Sequence, residues 1–197
     1  MEGKAMLMET LVGLSGVPIL LNTKDPDEIV NAIAAIAPTF SAIQLEDISA
    51  PRCFEIEERL QAMLDIPVMH DDQHGTAVVS TAAMMVASRE TNTDLNKAVI
   101  GQIGLGAAGY AIGQMIMRLT GNPVYGADLS KDAIKRHEAN GGKASTLEEI
   151  MANCDIVIAT TGVPGLIKSE MVRKGQIILA LSNPRPEIEP EEARKAG

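Results

Sequence analysis

The chain has 197 residues, 46% of them hydrophobic, which is enough for one large or two small domains with a buried core. Its 17 Lys and Arg stand against 26 Asp and Glu, a net charge of −9, with no basic stripe of the kind a phosphate backbone requires, so nucleic acid is excluded as a natural partner. Cys53 and Cys154 are too few for a disulfide framework and lack the paired spacing of a zinc site; a reducing compartment is expected, with both cysteines acting as small buried hydrophobes.

Residues 1–21 are apolar in patches, but Glu2, Lys4 and Glu9 interrupt them and the layout of a signal peptide is missing. No uninterrupted apolar run reaches the roughly 18 residues that span a bilayer. A soluble, cytoplasmic protein without a membrane partner is expected. The aromatics are Phe40, Phe54, Tyr110 and Tyr125, so the core must be packed from Ile, Leu, Val, Met and Ala, which suits helices laid on parallel strands.

In chain order, residues 17–21 form a short apolar run. Thr23-Lys-Asp-Pro-Asp-Glu then carries a capping side chain, an early proline and first-turn acids, predicting a helix up to about Ala37. A strand over 41–45, an amphipathic helix over 51–64 and a strand over 66–69 follow. Residues 76–88 read as an Ala-rich helix and 89–97 as a polar link, placing a domain boundary between 69 and 97. From Lys97 onward the alternation is regular: strand 98–103, glycine turn, helix 110–119, strand 124–127, helix 131–139, and strands 156–160 and 176–181 with helical or turn segments between them. Strands separated by helical crossovers imply a parallel sheet with right-handed connections. The expected architecture is α/β: a Rossmann-like parallel sheet domain over 76–197, preceded by part of a smaller α/β lobe over 1–75.

The glycine turn Gly104-Leu105-Gly106-Ala107-Ala108-Gly109 is a G-x-G-x-x-G sequence where a strand hands over to a helix. In that context the first glycine permits the tight turn, the second lets the backbone approach a pyrophosphate, and the third lets helix and strand pack closely. The helix N-terminus meanwhile supplies amide donors. Asp128, 24 positions after Gly104 at the end of the next strand, can accept a ribose 2′-hydroxyl. A dinucleotide site is the stronger reading, and a glycine-rich turn with another ligand or none is the weaker. NAD is expected over NADP because Asp128 repels a 2′-phosphate, although Ser130 and Lys131 could bind one.

Glu46 and Asp47 follow one predicted strand, Asp71 and Asp72 the next. Ligands gather outside the carboxyl ends of parallel strands, so the two acid pairs plausibly converge, and a hard divalent cation such as Mg²⁺ or Mn²⁺ resolves their repulsion. On spacing alone, helix capping and strand termination explain the same acids equally well. His70 and His74 have a spacing that can bind zinc, but on a loop that geometry is not assured, and a supporting role is the stronger reading.

At this point the residues resemble a family. The stretches Gln44-Leu-Glu-Asp-Ile-Ser-Ala-Pro-Arg-Cys-Phe-Glu-Ile-Glu and Ile66-Pro-Val-Met-His-Asp-Asp-Gln-His-Gly-Thr-Ala are similar to signature blocks of bacterial malic enzymes. Met1-Glu-Gly-Lys-Ala resembles the segment carrying that family's catalytic lysine, and Ala180-Leu-Ser-Asn-Pro its late substrate-and-cofactor strand. The resemblance runs from residue 1 to about residue 190. It implies Glu46, Asp47 and Asp72 as ligands of Mg²⁺ or Mn²⁺, Asp71 beside them, and Lys4 in proton transfer at the malate hydroxyl, a task suited to an amine of lowered pKa. It implies Asn183 as a partner of substrate and cofactor, and the glycine turn with Asp128 as the NAD or NADP site.

The implied chemistry is hydride transfer from malate C2 to the nicotinamide, then loss of CO₂ from oxaloacetate with the metal as Lewis acid, then protonation of the enolate to pyruvate. The family's acid for the last step is a tyrosine preceding the lysine motif, and neither Tyr110 nor Tyr125 stands in its place. Residues 6–16 also differ from the usual family segment, and a second asparagine-bearing block is not reached. The expectation is a truncated, partial or two-chain form with impaired turnover, from a family whose full-length members pair as homodimers. Two other readings stay open: malolactic enzyme, yielding lactate from malate, and a non-catalytic dinucleotide-binding module.

Overall fold

The computed structural model describes residues 1–196. The chain opens with helix α1 (Glu2–Val12), none of whose residues is buried, closed by Gly13 in the left-handed conformation. An irregular stretch leads to α2 (Pro26–Ile36), where the Asp25 side chain accepts the amides of Asp27 and Glu28 at 2.8 and 3.1 Å, the cap expected of this sequence. Strand β1 (Ile43–Leu45), helix α3 (Arg52–Met63) and strand β2 (Val68–His70) follow. β1 and β2 pair in parallel with Leu45 opposite His70, so both strands release the chain at the same edge. Ile29, Val30 and Ile33 of α2 pack with Leu45, Ile56, Leu60 and Val68 to give this lobe its core.

Helix α4 (Asp71–Glu90) begins directly on the last residue of β2. This departs from the sequence reading, which placed the helix start at residue 76 and Asp71, Asp72 and His74 on a loop. Gly75 disguises the first turn, since glycine is a poor helix former. A methyl group built there would lie 2.1 Å from Asp71 Oδ1, so the glycine leaves room for the Asp71 carboxylate. Two acids in a first helical turn are favoured by the partial positive charge of the helix start.

The second sheet contains β3 (Ile100–Ile103), β4 (Tyr125–Ala127), β5 (Lys143–Ala144), β6 (Ile156–Ala159) and β7 (Ile177–Ala180) in the spatial order β5-β4-β3-β6-β7, all parallel. Helices α5 (Ala107–Thr120), α6 (Lys131–Ala139) and α7 (Leu147–Asn153) make the crossovers, and α8 (Pro190–Ala196) follows β7. The chain runs outward from β3 to β5 and then restarts at β6 on the other side of β3, so the order reverses between β3 and β6. Crevices at such reversals are where open α/β sheets take ligands.

Every residue of β3 and β6 is buried. On one face Ile100, Ile156 and Ile158 meet Ile112 and Ile116 of α5 and Met84 of α4; on the other, Ile103 and Val157 meet Ile150, Met151, Ile167 and Ile188. Cys53 and Cys154 are buried and unpaired, as expected, and burial pushes both thiols up to about 11. Among the described residues no helix is long and apolar enough to cross a membrane.

Candidate active site

The first cluster forms where β1 and β2 end side by side. Glu46 follows β1 and Asp71 follows β2, and Lys4 reaches both from α1: its ammonium lies 2.7 Å from Asp71 Oδ2 and 3.0 Å from Glu46 Oε1. The Gln44 side-chain amide donates to the other Glu46 oxygen at 2.9 Å. Asp47 adopts φ 60°, a left-handed turn that aims its amide at Asp72 Oδ2, 2.9 Å away. An acid tolerates this conformation better than most side chains. The structure therefore brings the five sequence-predicted residues of the first lobe into two neighbouring contacts, Lys4 with Glu46 and Asp71, and the Asp47 amide with Asp72.

Lys4 differs from its expected state. The Asp71 carboxylate first, and Glu46 second, hold its ammonium well above the ordinary lysine value. In this arrangement Lys4 is a charged donor, not a base of lowered pKa.

Glu46, Asp47 and Asp72 offer hard oxygen donors at adjacent strand ends, the donor chemistry that Mg²⁺ or Mn²⁺ prefers. They fit such an ion in kind. Among the described residues, however, no three acidic, His or Cys side chains are gathered into a group that could hold one, and the charges of Glu46 and Asp71 are met by Lys4 instead.

The second cluster lies on the glycine turn. Gly104 has φ +86°, and a methyl group there would meet the Thr160 carbonyl at 2.7 Å. At Gly109 it would lie 1.9 Å from the Gly104 carbonyl, whereas at Gly106 it would meet nothing within 4 Å. The first and third glycines are thus required by packing, and the second faces open space. Gly106 also begins α5 without a side-chain cap, leaving the first amides of that helix, at Ala107 and Ala108, available to a ligand.

Asp128 braces this turn. One carboxylate oxygen accepts the Leu105 amide at 2.6 Å and the other the Ser130 amide at 2.7 Å. The Leu105 carbonyl accepts from Arg136 at 2.9 Å. Asn183 sits exposed just past β7, on a cis peptide to Pro184.

Residues 1–61 match the model of the malic enzyme N-terminal domain. Over its full length the chain is 62% identical to NAD-dependent malic enzyme 1 of Bacillus subtilis, covering 45% of that protein. Over its whole length the chain is similar to malic enzymes.

Another relative, NADP-dependent malic enzyme of Salmonella typhimurium, is 36% identical over 99% of this chain, which covers 28% of it. The crystal structure of NAD-dependent malic enzyme from Thermotoga maritima superposes on the whole chain with a TM-score of 0.91 at 32% identity, and the chain covers 56% of that structure. The chain therefore spans about half the length of its nearer relatives, or less.

Two residues that brace these clusters, one at each, are not singled out from the sequence. Glu57 is buried on the core face of α3, in the same helical stripe as Cys53, Ile56 and Leu60. Its carboxylate accepts the His70 amide at 2.8 Å and the Gln73 side chain at 3.2 Å, and stands 2.9 Å from His74 Nε2, tying the start of α4 to α3. The signal in the sequence is an acid at a core-facing helical position. Arg136 lies over the rings of Phe54 and Tyr110, with ring-centroid distances of 4.5 and 5.0 Å, and so links α3 of the first lobe to α5 and the glycine turn. Nothing in the local sequence marks that contact.

Proposed function

We propose that the chain carries the substrate and cofactor machinery for NAD(P)-linked oxidative decarboxylation of malate to pyruvate and CO₂, in the cytoplasm. The observation that carries this reading is the meeting of Lys4, Glu46 and Asp71, brought together across 67 positions of sequence from Lys4 to Asp71. The reading divides the chain into a metal and substrate lobe over 1–75 and a dinucleotide lobe over 76–197. Glu46, Asp47 and Asp72 would hold Mg²⁺ or Mn²⁺, which when bound supplies Lewis-acid polarisation of substrate oxygens.

Lys4, a charged donor held by Asp71, would orient the malate C2 oxygen, and would take the hydroxyl proton only after passing one of its own to Asp71. The open face of Gly106 and the amides of Ala107, Ala108 and Gly109 would take the pyrophosphate, with Asp128, which holds the Leu105 amide, on the adenosine ribose. Both Asp128 oxygens already accept backbone amides, so the residue serves the turn as well as the sugar, and its negative charge favours NAD over NADP. Asn183 would meet the substrate and the nicotinamide end from beyond β7.

Assays with malate plus NAD, and with oxaloacetate alone, each with and without Mn²⁺, test the reading in its two steps. The expected result is Mn²⁺-dependent pyruvate from oxaloacetate above the rate of Mn²⁺ in buffer, together with malate-dependent NADH. No pyruvate above that background from either substrate contradicts it. Lactate from malate without NADH would assign the same site to malolactic chemistry.

A further inference from the structure

Glu187 is fully buried, yet neither the glycine turn nor the acidic cluster uses it. It lies past β7, and its carboxylate collects donors from two loops. Oε1 accepts the Thr161 amide at 2.7 Å, the Thr161 hydroxyl at 2.8 Å and the Ser182 hydroxyl, while Oε2 accepts the Ser182 amide at 3.2 Å. The Ser182 hydroxyl oxygen in turn accepts the Gly162 amide at 2.7 Å. Burial alone would raise this carboxyl, but the bonds from Ser182 and Thr161 outweigh it and leave it below the usual carboxylate range.

These loops have a specific location. Residues 160–163 follow β6 and residues 181–183 follow β7, so together they form the wall of the crevice opposite the glycine turn, across the reversal between β3 and β6. The wall is also joined to that turn underneath: the buried Gln102 side chain donates to Thr160 Oγ1 at 2.9 Å and to the Gly104 carbonyl at 3.0 Å. Asp128 and the adenosine ribose belong to the β4 side, so the rest of a dinucleotide must cross toward this wall.

We propose that Glu187 is a positioning residue that fixes the loops after β6 and β7, Asn183 included, as the wall receiving the nicotinamide half of the cofactor. The proposal rests on the dinucleotide reading given above. A single carboxylate is suited to the task because it only accepts, so donors from both loops can converge on it without a competing N–H. Burying such a group at a loop junction is costly unless all its acceptor sites are filled, and here two loops must be in place to fill them.

Calorimetric titration of the whole chain with two probes tests this: NADH, which reaches both halves of the crevice, and ADP, which reaches only the adenosine half. Glu187→Gln keeps the shape but turns an N–H₂ donor toward the amides and hydroxyls. It is expected to weaken NADH about tenfold or more and leave ADP within about twofold, with the circular dichroism spectrum unchanged. Should Glu187→Gln fail to fold, Ser182→Ala removes one donor to Glu187 and the acceptor for Gly162, and is expected to give the same selective loss in smaller degree. Equal loss of both probes, or unchanged NADH affinity, would overturn the proposal. Absence of binding by the unaltered chain would remove the dinucleotide reading itself, and the proposal with it.

Discussion

Asp72 is where the two acid pairs of the first lobe are joined, its carboxylate holding the Asp47 amide at 2.9 Å while His70 Nε2 lies 3.6 Å from the same oxygen. Replacing it with Asn keeps an acceptor for that amide but removes a charge that a hard cation needs. Asp72→Asn should therefore abolish tight Mn²⁺ binding, read by electron paramagnetic titration, with NAD binding largely unchanged because Asp72 belongs to the other lobe. Unchanged Mn²⁺ affinity in this variant removes Asp72 from the ligand set. At this scale the acids were legible in the sequence as types and spacings, but their setting was not. That Lys4 is ion-paired to Asp71, and that buried Glu57 holds the end of β2, follows from contacts between distant segments that no local pattern encodes.

The elements that hold the glycine turn divide the three glycines by what surrounds them, and the division can be measured. Gly109→Ala places a methyl group against the Gly104 carbonyl and should cost about 3 kcal/mol of stability by overpacking. Gly106→Ala meets open space and should cost about 1 kcal/mol or less as a helix cap, yet weaken NAD at least about tenfold by standing where the pyrophosphate approaches. Thermal unfolding and NAD titration of both variants separate the effects, and equal affinity in Gly106→Ala and the unaltered chain would argue against a phosphate at that turn.

The long, strongly patterned elements of this lobe were legible: β3, α5, β4, α6, β6 and β7 fall where alternating apolar runs and turn residues place them. Others were not. α1 buries no residue and so leaves no periodic stripe to read, β5 has only two residues, and Gly75 hides the first turn of α4.

At the scale of the whole molecule, the parallel order of the second sheet follows from helices alternating with strands, and this much the sequence carried. How the lobes meet is a different matter. α4 starts at the acidic cluster and contributes Ala77 and Met84 to the core of the second sheet, and Arg136 lies over both Phe54 and Tyr110, whose rings meet edge to face, while holding the Leu105 carbonyl of the glycine turn. Both arrangements set the acids and the crevice in one frame, and both depend on pairs far apart in the chain. The proposed function requires that crevice to take a dinucleotide. Titration of the unaltered chain with NAD and with NADP, followed by calorimetry, tests it most directly. Saturable binding with NAD preferred is expected, and a preference that narrows in Asp128→Ala. Absence of saturation by either nucleotide up to about 1 mM, an affinity near −4 kcal/mol, would contradict it.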